Sequence, residues 1–74
     1  MLALVTGGGG RLGNVLVRRL LEGGHQVRVL EPGARPESLA GLDIDFQSGS
    51  VLDAGEVDQA VDGVDVVYHL AAKI

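Results

Sequence analysis

The sequence contains no cysteine and no tryptophan, and it has one tyrosine and one phenylalanine among its 74 residues. Without cysteine, a disulfide framework, a thiolate metal site and a thiol nucleophile are excluded, and we predict a reducing, cytoplasmic location. Because no apolar stretch is long enough to span a bilayer, we predict no membrane association. The net charge of −4 argues against nucleic acid as a partner, since nucleic-acid binding needs a basic surface.

Glycine, by contrast, is abundant, and several glycines lie together in the segment Thr6-Gly7-Gly8-Gly9-Gly10-Arg11-Leu12-Gly13. The apolar run before this segment predicts a buried strand over residues 2–6. Apolar residues then recur at helical spacing, at Leu12, Val15, Leu16 and Leu20. Glycine permits a tight turn and close approach of a ligand, and free N–H groups at a helix start attract anions. The segment therefore predicts a site for the pyrophosphate of a dinucleotide.

The residues themselves bear on two alternatives to this interpretation. The pattern Gly8-x-Gly10-x-x-Gly13 satisfies the general dinucleotide-binding pattern, but a lone match is also what a flexible turn between two elements would give. A phosphate loop of the nucleoside-triphosphatase kind is excluded, because Asn14 stands where that loop requires lysine.

Apolar runs and helical stretches alternate along the whole chain. We predict strands over residues 2–6, 26–30, 44–47 and 64–71. We predict a helix from Gly10 to Glu22, a short helix that opens at Pro36, and a helix that opens at Asp53 with a capping box to Glu56. This alternation predicts an α/β fold, a partial Rossmann-type doubly wound parallel sheet with strand order 3-2-1-4. A ligand would then bind at the carboxyl ends of the strands.

Glu31 ends the second predicted strand, at the edge where the glycine segment also lies. A carboxylate there can accept hydrogen bonds from both hydroxyls of an adenosine ribose and would repel a 2′-phosphate, which favours NAD over NADP. The alternatives are a solvated glutamate before a turn, or NADP binding in which Arg35, after the flexible Pro32-Gly33, turns toward a 2′-phosphate.

Other residues at this edge are open to two interpretations each. Ser50 and Val51 follow the third strand and would either face an adenine ring or simply form a turn. The Arg11 side chain would either contact the pyrophosphate or, as we favour, point to solvent. We interpret His69 as a strand residue that packs against a helix rather than as a catalytic base. His25 and His69 lie on opposite rims of the sheet and predict no metal site.

With these residues in view, the chain resembles the extended branch of the short-chain dehydrogenase/reductase superfamily, which includes NAD-dependent epimerases, dehydratases and reductases. Three motifs carry the resemblance: the phosphate loop Thr6-Gly7-x-x-Gly10-x-x-Gly13, the second strand Gly24-His25-Gln26-Val27-Arg28-Val29-Leu30, and the fourth strand Val67-Tyr68-His69-Leu70-Ala71-Ala72. The resemblance covers the chain but only the beginning of a family member. It implies that residues 1–74 are the N-terminal part of one nucleotide-binding domain, without a second domain.

The resemblance implies NAD as cofactor and no catalytic residue in this chain. The residues it and the preceding analysis assign to the cofactor are Gly7, Gly10, Arg11, Leu12, Gly13, Glu31, Ser50, Val51, Leu70, Ala71 and Ala72. Family members use a Tyr-x-x-x-Lys pair for catalysis, but Tyr68 and Lys73 are five positions apart and do not form it. The chain alone is therefore expected to be inactive.

Three departures from the family pattern accompany the resemblance. The family usually has an aromatic residue where Arg11 stands and an aspartate that holds adenine where Ser50 stands. Pro32 occupies a place where NADP-dependent members often have arginine. A non-catalytic dinucleotide-binding module with the same fold remains the alternative to a segment of an enzyme. Because the fourth strand would have an open edge, we also expect self-association.

Overall fold

The computed structural model describes residues 1–70. Its elements, in chain order, are β1 (Leu2–Thr6), α1 (Arg11–Glu22), β2 (Gln26–Glu31), a 3-10 turn (Glu37–Leu39), β3 (Asp45–Ser48), α2 (Ala54–Val61) and β4 (Val66–His69). The four strands form one parallel sheet in the order β3-β2-β1-β4, which confirms the predicted fold and strand order. Within residues 1–70, no helix is long and apolar enough to cross a bilayer.

The two faces of the central strands are buried by different helices, because successive strand residues point to opposite sides of a sheet. Ala3 and Val5 of β1 belong to a cluster with Val17 of α1. Leu4, on the opposite face, clusters with Leu30 and with Ala60 of α2. β1 is therefore covered on both sides, which explains why its sequence is continuously apolar rather than alternating.

Most element boundaries lie within one residue of the sequence expectation. Gly10 has extended dihedral angles and caps α1, so the helix begins at Arg11. The short helix predicted to open at Pro36 is a three-residue 3-10 helix, which begins directly after Pro36. β4 is shorter than predicted, because it starts at Val66, and the predicted end at Ala71 lies outside the described residues.

The capping box at the start of α2 is only half formed. The Asp53 carboxylate accepts the Glu56 N–H at 3.0 Å, as the spacing predicts. The Glu56 carboxylate, however, accepts the Ser50 N–H at 3.3 Å instead of returning to Asp53. Glu56 thus holds the loop between β3 and α2, at the carboxyl edge of the sheet.

Candidate functional site

The parallel register brings the carboxyl ends of the strands to one edge of the sheet. Thr6 of β1 pairs with Leu30 on one side and His69 on the other, and Glu31 pairs with Ser48. The glycine segment leaves β1 at this same edge. The neighbours of β1 are β2 and β4, so the chain departs to opposite sides of β1, which is where open α/β sheets form their crevice.

The glycine segment makes a tight turn that only glycine fits at two positions. Gly7 has a φ of 77°, a left-handed conformation that residues with a side chain rarely adopt. Its carbonyl accepts the Gly10 N–H at 3.1 Å and closes the turn. A Cβ atom on Gly13 would lie 2.2 Å from the Gly7 carbonyl oxygen, so a side chain at Gly13 is excluded by backbone. The first turn of α1 is therefore drawn close against the loop.

The start of α1 presents unpaired N–H groups. No side chain caps the helix, its first turn contains no acidic residue, and the first α-helical hydrogen bond joins the Asn14 N–H to the Gly10 carbonyl at 2.8 Å. Among residues 1–70, the N–H groups of Arg11, Leu12 and Gly13 are thus left without an acceptor. Together with the helix dipole, they favour an anion at this point.

The Glu31 carboxylate is tied directly to the glycine segment. Its Oε1 accepts the Gly9 N–H at 2.8 Å, and the side chain is half-buried. A Cβ on Gly9 would lie 2.7 Å from Glu31 Oε2 and 2.6 Å from Pro36 Cγ. Sequence analysis did not single out Gly9, and its place in the middle of four consecutive glycines was the one available signal. The contact puts the carboxylate beside the loop, with lone pairs left for a ligand.

The two arginines near Glu31 in sequence are engaged elsewhere. Arg35 donates to the main-chain carbonyls of Leu39, at 2.9 Å from Nη2, and of Leu42. Arg28 pairs with Asp45 at 2.7 Å and donates to the carbonyls of two residues at the end of α2, Ala60 and Asp62. Because these groups occupy both guanidiniums, neither arginine is directed at the Glu31 carboxylate.

The remaining predicted residues around the glycine segment are exposed. The Arg11 side chain points to solvent, as favoured, and has no hydrogen-bond partner within the described residues. The Leu12 side chain is 69% exposed. What these two residues offer a ligand is therefore their main-chain N–H groups rather than their side chains.

Ser50 and Val51 lie in the loop that follows β3. The Ser50 hydroxyl accepts the Leu52 N–H at 3.0 Å, which is turn chemistry, and Val51 is 38% exposed. Sequence analysis assigned Glu56 only to the capping box and missed its role in this loop. The Glu56 carboxylate lies against Gly49, where a Cβ would meet its Oε2 at 2.5 Å. Gly49 and Glu56 thus fix the course of the loop.

At the end of β4, the structure corrects the expectation for His69. Its side chain is exposed rather than packed against a helix, and its Nδ1 shares a 2.7 Å hydrogen bond with Thr6 Oγ1. Leu70 is half-buried, and its N–H donates to the Thr6 carbonyl at 3.0 Å. Predicted cofactor residues Ala71 and Ala72 lie outside the described residues. Residues 1–70 contain no cluster of three histidine, cysteine, aspartate or glutamate side chains placed to hold a metal ion.

Comparison with known proteins gives relatives for the whole chain. The sequence model of the NAD dependent epimerase/dehydratase family matches residues 3–74. The chain is 45% identical over 73 residues to a 2-alkyl-3-oxoalkanoate reductase of Stenotrophomonas maltophilia, covering 99% of this chain and 22% of that protein.

Two solved structures show the same fold with related sequences. One is the Bordetella bronchiseptica enzyme WbmG in complex with NAD, with a TM-score of 0.87, 35% identity, and coverage of 100% of this chain and 26% of that one. The other is UDP-glucose 4-epimerase of Thermotoga maritima with UDP-glucose, with a TM-score of 0.86, 31% identity, and coverage of 99% and 25%. The chain thus spans about a quarter of the length of these relatives.

Proposed function

Since the chain belongs to the NAD dependent epimerase/dehydratase family, of the short-chain dehydrogenase/reductase superfamily, we propose that it is the NAD-binding segment of an epimerase, dehydratase or reductase. In this proposal, residues 1–74 are the N-terminal part of a single nucleotide-binding domain. The reaction itself belongs to residues beyond those that this chain supplies.

The observation that carries the proposal is the joint geometry of the glycine segment and Glu31. Three N–H groups at the start of α1 point out of the helix without an acceptor among the described residues, and the Glu31 carboxylate is hydrogen-bonded to the same loop at Gly9, at 2.8 Å. A dinucleotide carries a negatively charged pyrophosphate and, next to it, a ribose with two hydroxyl groups. The N–H groups fit the first and the carboxylate fits the second.

Each predicted residue then has a proposed role. The turn at Gly7, Gly10 and Gly13 brings the main chain close to the pyrophosphate. The N–H groups of Arg11, Leu12 and Gly13 then contact it. We assign Ser50 and Val51 to the adenine, and Leu70, Ala71 and Ala72 to the nicotinamide ribose. The NAD complex of WbmG supports these roles through its similarity to the whole chain.

The proposal favours NAD over NADP. The Glu31 carboxylate would face a 2′-phosphate with like charge, and Arg35, the nearest candidate to neutralise such a phosphate, donates to Leu39 and Leu42 instead. Both observations act against the phosphate, and neither acts against a ribose hydroxyl.

When bound, NAD supplies hydride transfer at its nicotinamide ring, while the chain itself binds and orients the cofactor. The 74 residues contain one tyrosine, Tyr68, without a lysine four positions later, so we propose that they are inactive alone. A non-catalytic dinucleotide-binding module is the second candidate, which the same observation supports. A cytoplasmic location remains part of the proposal, supported by the lack of cysteine.

Titration of the 15N-labelled chain with NAD tests the binding function. We expect the amide signals of residues 7–13 and of Glu31 to shift, while those in the centre of α2 remain in place. If these signals do not move at millimolar NAD while the spectrum remains that of a folded chain, the proposal is wrong. Incubation with NAD and a panel of alcohols tests the expected lack of activity, and any turnover above background would contradict it.

A further inference from the structure

Two side chains of α1 fasten the segment after β2 to the helix. Asn14 Nδ2 donates to the Ser38 carbonyl at 2.8 Å, and Arg18 Nη2 donates to the same carbonyl at 3.1 Å. Arg18 Nε also donates to Asn14 Oδ1 at 2.9 Å, so each donor orients the other. The two residues are one helical turn apart, which places them on the same face of α1. We call this group, Asn14, Arg18 and the Ser38 carbonyl, the α1 clamp.

The α1 clamp holds Ser38 beside the glycine segment, where the Ser38 hydroxyl donates to the Gly9 carbonyl at 3.4 Å. Next to Ser38, the Leu39 side chain is fully buried in the core, and its N–H donates to the Pro36 carbonyl at 3.0 Å. Pro36 packs so closely over Gly9 that a Cβ there would lie 2.6 Å from Pro36 Cγ. Because Gly9 donates to Glu31, the clamp is connected to the carboxylate through Pro36 and Gly9.

Arg35 is hydrogen-bonded to the segment that the α1 clamp fastens. Residues 32–44 contain one arginine or lysine, Arg35, and its guanidinium donates to Leu39 and Leu42. Both carbonyls belong to the segment that the α1 clamp fastens at Ser38. Residues 32–35 are exposed, and the Gly33 carbonyl accepts the Ser48 hydroxyl at 2.7 Å, which fastens the segment to β3 at that point. Release of Ser38 would therefore leave the backbone after Gly33 free to turn Arg35 toward the ribose.

We propose that Asn14 and Arg18 are positioning residues that set the preference for NAD over NADP without touching either cofactor. The clamp keeps Glu31 beside the glycine segment, ready for a ribose 2′-hydroxyl, and keeps Arg35 away from the place of a 2′-phosphate. This inference rests on the proposed NAD-binding function and extends it to residues on the outer face of α1.

The test compares the Kd values of NAD and NADP, measured by calorimetry, for the wild-type chain, Asn14→Leu and Arg18→Gln. Gln59→Leu, on the exposed face of α2, is the matched control. We expect the ratio of NADP Kd to NAD Kd to fall roughly fivefold to tenfold in both clamp variants, the scale of one hydrogen bond, and to stay unchanged in the control. Addition of Arg35→Ala to Asn14→Leu should remove the gain in NADP affinity.

The outcomes separate the inference from the function on which it rests. If the wild-type chain binds neither cofactor, the proposed function is wrong and the inference falls with it. If it binds NAD but both clamp variants keep the wild-type ratio, the inference alone is overturned. Equal losses of affinity for both cofactors, together with lower melting temperatures, would show a merely structural role and would also overturn it. In the absence of cofactor, we expect faster hydrogen exchange at the Gly9 amide in both clamp variants, because the segment after β2 is released from α1.

Discussion

Replacement of Gly13 by alanine should destabilise this fold as much as the most damaging single methyl groups added to a protein core. The added Cβ would lie 2.2 Å from the Gly7 carbonyl oxygen, 2.7 Å from Gly8 Cα and 2.9 Å from the Gly7 carbonyl carbon. All three atoms belong to the backbone, so no side chain can rotate to relieve the contact. The start of α1 and the glycine turn must separate, and their separation disturbs the packing of Val17 against the sheet.

The size of the loss in stability depends on whether the atoms that the new Cβ contacts can move. Overpacking of a core by a methyl group costs about 1–3 kcal/mol when side chains can adjust, so we expect the free energy of unfolding to fall by about 3 kcal/mol. In a domain of this size, that loss lowers the melting temperature by roughly 12–24 °C. Thermal unfolding followed by circular dichroism measures it directly.

Gly55→Ala is the matched control for Gly13→Ala. Gly55 is exposed in α2, and the nearest atom to its added Cβ is Asp53 Oδ1 at 3.4 Å, an ordinary contact. Alanine is the better helix former by about 0.5–1 kcal/mol, so this variant should melt higher than the wild type. If Gly13→Ala melts within two or three degrees (about 0.5 kcal/mol) of the wild type, the close approach of α1 to the glycine turn is refuted.

Three further predictions concern charge and the sheet edge. Glu31→Gln keeps an acceptor for the Gly9 N–H but removes the negative charge. Calorimetry should therefore show NAD binding about tenfold weaker and NADP binding stronger. The control Glu22→Gln should leave both affinities unchanged. Arg28→Met should lower the free energy of unfolding, measured with urea, by about 2–3 kcal/mol, because Arg28 donates to two carbonyls. The Asp45 side chain is 54% exposed, so Asp45→Asn should lower it by less than about 1 kcal/mol. Equal losses in the two variants would contradict this prediction. In the described residues β4 is an edge strand of the sheet, so the chain should self-associate in sedimentation experiments. Val67 is 49% exposed, and Val67→Lys should weaken this association. A wild-type chain that stays monomeric at all concentrations would refute the prediction.

The fold could be predicted from the sequence because the patterns that indicate its strands, helices and turns are local. The glycine segment is recognisable as a turn because its neighbours on either side have strand and helix periodicity, and the strand order follows from the handedness of parallel crossovers. The position of Glu31 also follows from the sequence, because Glu31 ends the second strand and the carboxyl ends of parallel strands lie at one edge of the sheet. At Pro36 the sequence predicted a short helix without its kind, because three residues are too few for periodicity to distinguish an α-helix from the 3-10 helix that the structure has.

The hydrogen bonds of the site were decided by the tertiary structure. Gly9 and Glu31 are 22 residues apart, and Thr6 and His69 are 63 apart, so their contacts depend on strand register and side-chain direction together. No local pattern encodes which carbonyl an arginine will reach, and Arg35 was for that reason a candidate for a 2′-phosphate until its partners were known. The amino-acid sequence thus determined where a diphosphate could be received, because turns and helix starts are local. Only the folded chain determined which side chains surround that place, because those contacts join residues that the sheet brings together from distant positions.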